Sequence, residues 1–173
     1  MTLIKPALRP AKRILYLTPR WSRCFASTPK NEAKNRIYTN VRSPPEFHDL
    51  LLLSARRPLI TLWTANWCPS CNDVAPVLKE LIEDGVGEDV GGVGYVQVED
   101  DAMTIGDLPF TYRINSMPTL MAFSRQEAQF DTKVTRVEDM KNRGFLTEWI
   151  EKEARRGGSG GGGGSLFGNW FGS

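Results

Sequence analysis

The residues best suited to chemistry are two cysteines with two residues between them. Cys68 and Cys71 enclose Pro69 and Ser70, and Trp67 precedes the pair. At this spacing the cysteines cannot link distant parts of a fold, but they can form and break a disulfide with each other. We therefore predict thiol–disulfide exchange, in which Cys68 attacks a partner's disulfide as the nucleophile and Cys71 resolves the mixed disulfide.

A zinc site is the alternative use of such a pair. A structural zinc ion needs four ligands. The chain has one further cysteine, Cys24, and one histidine, His48. Cys24 lies in a basic head that we expect to be removed, so too few ligands remain for a site within one chain, and a cluster shared between two chains stays open. We expect His48 to be an ordinary surface residue, and we expect no metal and no cofactor.

The elements on either side of the pair are expected to position it. Residues 58–65 are β-rich and mostly apolar, as in a buried central strand. Cys68 then lies at a helix N-terminus, where free backbone N–H groups and the helix dipole favour a thiolate. Cys71 lies one turn further in and should be the more buried of the two. Apolar residues continue at helical spacing, at Val74, Val77, Leu78, Leu81 and Ile82.

The rest of the chain predicts an α/β fold, a central mixed sheet flanked by helices in the order β-α-β-α-β-α-β-β-α. Ser43, Pro44 and Glu46 form a helix start with a capping box. The last two strands are expected to pair as an antiparallel hairpin. The other expected elements are strands at 36–41, 93–99, 119–123 and 130–134, and helices at 43–56, 102–112 and 138–156.

Charge and hydropathy argue against two classes of partner. Residues 1–31 carry seven Lys or Arg and no acid, which leaves 15 basic against 20 acidic side chains in the rest. A folded part with net negative charge is not expected to bind nucleic acid, because phosphate contacts need clustered cations. The longest aliphatic run, residues 50–53, is far shorter than the roughly 20 apolar residues that cross a bilayer, so we expect no membrane span.

The basic head, residues 1–32, predicts a mitochondrial transit peptide, because it also contains Ser, Thr, Leu and aromatic residues. Residues 23–28 resemble a site cut by the matrix processing peptidase, with cleavage after Phe25 as the simplest match. The mature protein is then expected in the mitochondrial matrix. A disordered basic tail that stays attached is the alternative.

Residues 36–156 resemble a thioredoxin domain in element order and in motifs. Trp67-Cys68-x-x-Cys71 resembles the redox site of that family, and Pro76 falls where the family has a helix-kinking proline. Met117 and Pro118, before the fourth strand, resemble the cis-proline loop that faces the cysteines. The resemblance implies that Pro118 is cis and that Met117 donates backbone groups to bound peptide. It also implies that Trp67 shields the site, with a purely core role as the alternative.

Several positions depart from the thioredoxin pattern. Pro69-Ser70 stands where thioredoxins usually have Gly-Pro, which leaves the reduction potential open. The family's buried aspartate falls at Leu62, so Cys71 lacks the proposed proton acceptor. Asn72-Asp73 replaces a common lysine and lowers the positive potential near Cys68. Together with Trp67, Met117 and Pro118, Pro69 is expected to bind substrate.

The tail, residues 157–173, is almost pure glycine up to residue 164 and cannot hold a fixed fold. It ends in an aromatic stretch at residues 166–171. Three interpretations remain: a low-complexity tail, a tether that presents an aromatic anchor to a protein partner, and an engineered linker.

The resemblance implies a thiol–disulfide oxidoreductase that reduces or exchanges protein disulfides in mitochondria. Disulfide-containing proteins are the expected substrates, and a thioredoxin reductase is the candidate electron donor. A binding or redox-sensing module with little reductase activity is the alternative, because the buried acid under Cys71 is missing.

Overall fold

Residues 34–158 are described by a computed structural model of the chain. The strands are β1 (Arg36–Ile37), β2 (Leu59–Thr64), β3 (Gly94–Glu99), β4 (Thr119–Ser124) and β5 (Glu127–Ala128). The helices are α1 (Pro44–Leu53), α2 (Pro69–Glu83), α3 (Leu108–Thr111), α4 (Val137–Lys141) and α5 (Arg143–Gly158). The expectations for the basic head, up to residue 33, and for most of the tail lie outside the described residues.

The five strands form one mixed sheet in the order β1-β3-β2-β4-β5. β1, β3 and β2 run parallel, whereas β4 pairs antiparallel with β2 and β5 pairs antiparallel with β4. Along β2 and β3 the register pairs Leu62 with Gln97 and Thr64 with Glu99. The α/β fold class and the mixed sheet are therefore confirmed, and the parallel strands end beside each other where the cysteine segment begins.

The sheet is covered on both faces, which explains why every residue of β2 is buried. Ile60 and Leu62 pack into a cluster with α2, α4 and α5. Leu59 and Trp63 point to the opposite face, because side chains alternate along a strand, and pack into a second cluster with α1 and α3. The two clusters give each helix layer its own apolar core.

The fifth strand lies earlier in the chain than expected. β5 is Glu127–Ala128, and the segment predicted as a strand, 130–134, instead holds a 3-10 turn and a single bridge from Val134 to Leu120. The hairpin closes through Arg125 and Gln126, whose φ angles are +55° and +68°. Two-residue turns of this kind favour Gly or Asn. Arg125 and Gln126 carry no such sequence signal, so the expectation was wrong.

The last helix is interrupted, although residues 138–156 were expected to form one helix. α4 ends at Lys141, and Asn142 adopts an extended conformation before α5 begins. The side-chain oxygen of Asn142 accepts a hydrogen bond from the N–H of Phe145 at 3.2 Å. Asn142 therefore caps α5, a role that asparagine favours.

Three other expected elements are shorter. β1 covers two residues, α1 ends at Leu53, and the helix expected at 102–112 is confined to α3. Ser43 occupies the N-cap of α1 without a side-chain capping bond, and Glu46 accepts the N–H of Arg42 at 2.8 Å instead of completing the box. Within residues 34–158, no helix is both long and apolar enough to span a membrane.

Candidate active site

The cysteine pair lies at the start of α2, directly after the end of β2. Cys68 is the N-cap of α2 in an extended conformation, and Pro69 occupies the first turn. The two cysteines form a disulfide, with 5.4 Å between their Cα atoms. The Sγ of Cys68 also accepts a hydrogen bond from the N–H of Cys71 at 3.2 Å. The structure thus places Cys68 where helix N–H groups point at its sulfur.

The two cysteines are covered to a similar degree in this disulfide form. Cys68 is 4% exposed and Cys71 is 2% exposed, so the expected difference in burial is small. Trp67, by contrast, is 72% exposed, which rules out the purely core role that the sequence left open. Pro69 is also exposed. The segment therefore presents Trp67 and Pro69 to solvent beside a buried disulfide.

The loop before β4 forms the wall next to the cysteines. The peptide bond between Met117 and Pro118 is cis, as the resemblance implied. Met117 is partly buried and packs against a small cluster made of Ala65, Cys68 and Cys71. Pro118 is buried where the chain enters β4. The structure therefore brings Met117 and the cysteine pair together, although they lie far apart in the sequence.

Polar contacts tie the loop that carries Trp67 to the end of β3. The backbone N–H of Asn66 donates to Asp101 at 2.8 Å, and the side-chain amide of Asn66 donates to the same carboxylate at 3.4 Å. The N–H of Asp100 donates to the carbonyl of Thr64 at 2.8 Å. Partial burial, together with the neighbouring charge of Asp101, raises the pKa of Asp100. These bonds fix the position from which α2 starts.

No acid lies under Cys71 on β2. Leu62 is fully buried in the apolar cluster between the sheet and α2. A cavity of about 100 Å³, however, has Cys71 in its lining. We call this cavity the polar recess; its lining includes Asn40, Thr64, Asn66, Gln97 and Glu99. The polar side chains beside Cys71 thus come from several elements, and Gln97 and Glu99 are the ones on β3.

Glu99 is held firmly at the wall of the polar recess. Its side chain is 14% exposed, and its carboxylate pairs with the Nε of Arg42 at 2.7 Å. The Nη2 of Arg42 and the Nδ2 of Asn40 each donate to the other carboxylate oxygen at 3.0 Å. The hydrogen bond from Arg42 is the main reason that the pKa of Glu99 lies below its ordinary value. Glu99 is therefore ionised at neutral pH.

Sequence reasoning missed Glu99 and Gln97 as candidates for the site. The available signal was the alternation in residues 95–99, where Val96 and Val98 separate polar residues. Because alternate residues of a strand share a face, this pattern placed Gln97 and Glu99 on one side of β3. The register with β2, which the sequence did not reveal, decides that this side faces α2 and Cys71.

The loss of the lysine expected after Cys71 is partly offset by another element. Asp73 pairs with the Nζ of Lys141 at 2.8 Å, so α4 brings a cation to the first turns of α2. Since this ion pair is exposed, its effect on Cys68 is weak. The decrease in positive potential near Cys68 is therefore smaller than Asp73 alone would cause, because Lys141 partly neutralises its charge.

The zinc alternative gains no support from the part of the chain that the structure describes. His48 lies exposed on α1, which covers the face of the sheet opposite α2. Among residues 34–158, no group of three or more His, Cys, Asp or Glu side chains is placed to hold a metal ion.

Comparison with known proteins identifies the same segment. The thioredoxin family model matches residues 39–152. The thioredoxin of Buchnera aphidicola is 32% identical over 104 residues, which cover 60% of this chain and 89% of that protein. The mitochondrial thioredoxin of Bos taurus is 26% identical over 113 residues, which cover 61% of this chain and 63% of that protein.

Solved structures agree on the fold. The structure of reduced Schistosoma mansoni thioredoxin pre-protein has a TM-score of 0.54 at 21% identity, covering 68% of this chain and 98% of that chain. The segment matched by the family model contains both the cysteine pair and the cis-proline loop. Family and cysteine pair together support thiol–disulfide oxidoreductase activity. Because the family model matches well over half of its residues, the chain belongs to the thioredoxin family.

Proposed function

We propose that this protein reduces or exchanges disulfides of other proteins through a Cys68–Cys71 dithiol/disulfide couple. The observation that carries the proposal is the disulfide at the N-terminus of α2, packed against Met117 next to the cis peptide bond. This arrangement combines a helix end that stabilises a thiolate with a neighbouring backbone segment that is able to hold an extended peptide.

The proposed cycle starts from the reduced pair. The Cys68 thiolate attacks one sulfur of a substrate disulfide, and the other substrate sulfur leaves as a thiolate. Cys71 then loses its proton and attacks the Sγ of Cys68, so that the second substrate sulfur leaves with its electron pair. The substrate has gained two electrons and the protein has lost two. The second step is intramolecular, and it should be fast because only 5.4 Å separates the two Cα atoms.

Substrate binding is proposed for four residues. Trp67 and Pro69 are exposed beside the disulfide, and an exposed aromatic ring next to a reactive group provides contact area for a partner. Met117 would donate backbone hydrogen bonds to an extended stretch of substrate, and Pro118 would hold that backbone in place. Because backbone hydrogen bonds do not depend on the side chains of the substrate, the site would accept substrates of many sequences.

A mitochondrial location completes the proposal. The basic head, residues 1–32, carries the composition of a transit peptide, and one relative is named as a mitochondrial thioredoxin. In the matrix, reduction is the expected direction, with a thioredoxin reductase as electron donor. Residues 36–156 would then be the catalytic domain, and the glycine-rich tail that follows α5 would recruit a protein partner.

A second candidate function is a binding or redox-sensing module with little reductase activity. The observation in its favour is Leu62, which leaves no carboxylate under Cys71 on β2. Slow resolution would let a mixed disulfide persist and turn exchange into capture. Binding of partners that survives replacement of both Cys68 and Cys71 by Ala would favour this function over reduction.

The test is reduction of a protein disulfide, with dithiothreitol as the electron source. We expect the wild-type chain to accelerate the reaction and Cys68→Ser to abolish the acceleration. In the chain that still carries the basic head, Cys24→Ser is the matched control, because it also removes one thiol, and it should leave the rate unchanged. A wild-type rate no greater than that of Cys68→Ser would overturn the proposal.

The equilibrium potential of the couple against glutathione then gives the direction of electron flow. A value near about −270 mV indicates a reductant, whereas a value near about −120 mV indicates an oxidant or isomerase.

A further inference from the structure

The resolving step poses a problem for this chain. Cys71 must lose a proton before it attacks Cys68, because the thiolate is the nucleophile. Leu62 offers no acceptor, since its side chain is buried among apolar residues. An acceptor must therefore come from a different strand or from solvent.

The register of the sheet brings a different carboxylate to the same face. Leu62 pairs with Gln97, and one step further Thr64 pairs with Glu99. These pairs share the face that α2 covers, because residues two apart on a strand point the same way. The polar recess has both Cys71 and Glu99 in its lining, so the two residues border the same space.

The polar recess is suited to hold water between them. Its volume is about 100 Å³. A water molecule needs only roughly 10–15 Å³ of such space and between two and four polar partners. Asn66, Gln97 and Thr64 supply donors and acceptors along the wall. Protons move readily along hydrogen-bonded water, so the recess can connect groups that do not touch.

Glu99 is the carboxylate that fits this role. Three hydrogen bonds from Arg42 and Asn40 fix it, and a carboxylate accepts about four, so one site remains free. Of the other acids nearby, Asp101 binds Asn66, Asp73 pairs with Lys141, and Asp100 does not line the polar recess. Among the described residues that line the recess, Glu99 is the one with a carboxylate.

We propose that Glu99 accepts, through water in the polar recess, the proton that Cys71 releases when it resolves the mixed disulfide. This inference rests on the proposed thiol–disulfide exchange. The S–H bond of Cys71 breaks, the proton passes through water to Glu99, and a sulfur–sulfur bond forms between Cys71 and Cys68. The substrate sulfur leaves Cys68 as a thiolate with its electron pair. Glu99 afterwards returns the proton to solvent.

The experiment separates the two chemical steps with dithiobis(nitrobenzoate), a small disulfide that releases a coloured thiolate, mixed in stopped flow with the reduced full chain. All variants carry Cys24→Ser, so that Cys68 and Cys71 are the only thiols. Attack by Cys68 releases one thionitrobenzoate at a rate that depends on protein concentration. Attack by Cys71 releases the second at a rate that does not. Wild type, Glu99→Gln and Glu99→Asp are compared. Glu46→Gln is the matched control, because Glu46 also binds Arg42 but lies outside the polar recess.

We expect Glu99→Gln to slow the second phase about tenfold and to leave the first phase unchanged. The loss is limited because water partly replaces the missing general base. Glu99→Asp should restore most of the rate, and Glu46→Gln should resemble wild type. The slowing should shrink as pH rises, because hydroxide then replaces the missing acceptor.

A purely electrostatic role for Glu99 predicts the opposite sign. A negative charge disfavours a nearby thiolate, so its removal would then accelerate the second phase. An unchanged or faster second phase in Glu99→Gln therefore overturns the proposal. If Glu99→Gln does not fold, Gln97→Leu makes the same wall apolar and must slow the second phase for the proposal to stand.

Failure of the broader function gives a different result. If the protein does not reduce protein disulfides but Glu99→Gln still slows the second phase, the role of Glu99 stands and the proposed substrate class is wrong. If the protein reduces protein disulfides but Glu99→Gln leaves the second phase unchanged, the proposed function stands and the role of Glu99 is wrong.

Discussion

The two faces of the sheet differ in what lies at the ends of the parallel strands. On the α1 side, Phe47, Trp63, Tyr112 and Phe123 pack ring against ring, with centroid distances from 4.9 to 6.1 Å. On the α2 side, the apolar cluster stops at Leu62, and Thr64 and Glu99 line the polar recess. β2, like β3 and β4, contributes side chains to both faces.

The aromatic face on the α1 side contributes mainly to stability, whereas the strand ends on the α2 side border the reactive cysteines. The aromatic face satisfies its few polar groups internally, since the indole N–H of Trp63 donates to Thr61 at 3.0 Å and Thr61 donates to the carbonyl of Met121 at 3.0 Å. The α2 face leaves space and polar groups beside Cys71. Changes on the first face should therefore alter folding, and changes at the strand ends of the second should alter thiol exchange.

The largest expected effect is on the aromatic face. Phe47→Ala removes a fully buried ring and should lower the free energy of unfolding by about 3–5 kcal/mol. The change is measured by denaturant unfolding. Reactivity of Cys68 toward a small disulfide should stay within a factor of about two in the protein that remains folded. A large loss of Cys68 reactivity in folded Phe47→Ala would contradict the separation of the faces.

Leu62→Asp tests how apolar the α2 face is beneath Cys71. Burial raises the pKa of an aspartate introduced at this position, so its cost is absent at low pH and grows as pH rises above about 4. Relative to Leu62→Asn, we expect a further loss of about 2–4 kcal/mol in the free energy of unfolding between pH 4 and pH 8. A pH-independent difference between the two variants would show that solvent reaches this position.

Trp67→Ala should weaken the binding of protein substrates but not the reaction with a small disulfide. Trp67 is 72% exposed, so its removal should change the free energy of unfolding by less than about 0.5 kcal/mol. Loss of its contact area should raise KM for a protein disulfide about threefold to tenfold, an effect of roughly 1 kcal/mol. The first-phase rate with dithiobis(nitrobenzoate) serves as the control and should be unchanged. Equal losses for both substrates would place Trp67 in the chemistry rather than in binding.

The smallest effect concerns the pH dependence of stability. The pKa of Glu99 in the folded protein lies below its ordinary value of 4.5, mainly because of the hydrogen bond from Arg42. A lowered carboxyl pKa stabilises the fold above the unfolded pKa, and this contribution is lost as pH falls through the folded value. Wild type should therefore melt a few degrees above Glu99→Gln at pH 6, and the gap should close below pH 4.5. A gap that widens on acidification would contradict the sign.

The fold was largely predictable because local patterns agreed with one another. The buried run of β2, the periodicity of α2 and the Met117-Pro118 loop each carried a local signal. The fifth strand and the break at Asn142 were missed for a physical reason. Arg125 and Gln126 adopt left-handed conformations without glycine, and a single asparagine cap divides two otherwise continuous helical patterns.

The candidate site was predictable only in part. Cys68 and Cys71 follow from spacing, and Met117 and Pro118 follow from resemblance. Glu99 depends on the pairing of β2 with β3, which joins residues 35 positions apart. The sequence shows that Leu62 is not an acid, but it does not show which strand supplies a carboxylate instead.

The proposed cycle requires that Cys68 attacks and Cys71 resolves, so a variant without the resolving cysteine should trap the covalent intermediate. With Cys24→Ser present in every variant, Cys71→Ser mixed with a protein disulfide should accumulate a mixed disulfide through Cys68, visible as a single mass shift that dithiothreitol reverses. Cys68→Ser should form none. A mixed disulfide that forms through Cys71 in Cys68→Ser, or the absence of any adduct in Cys71→Ser, would contradict the assignment of the two cysteines.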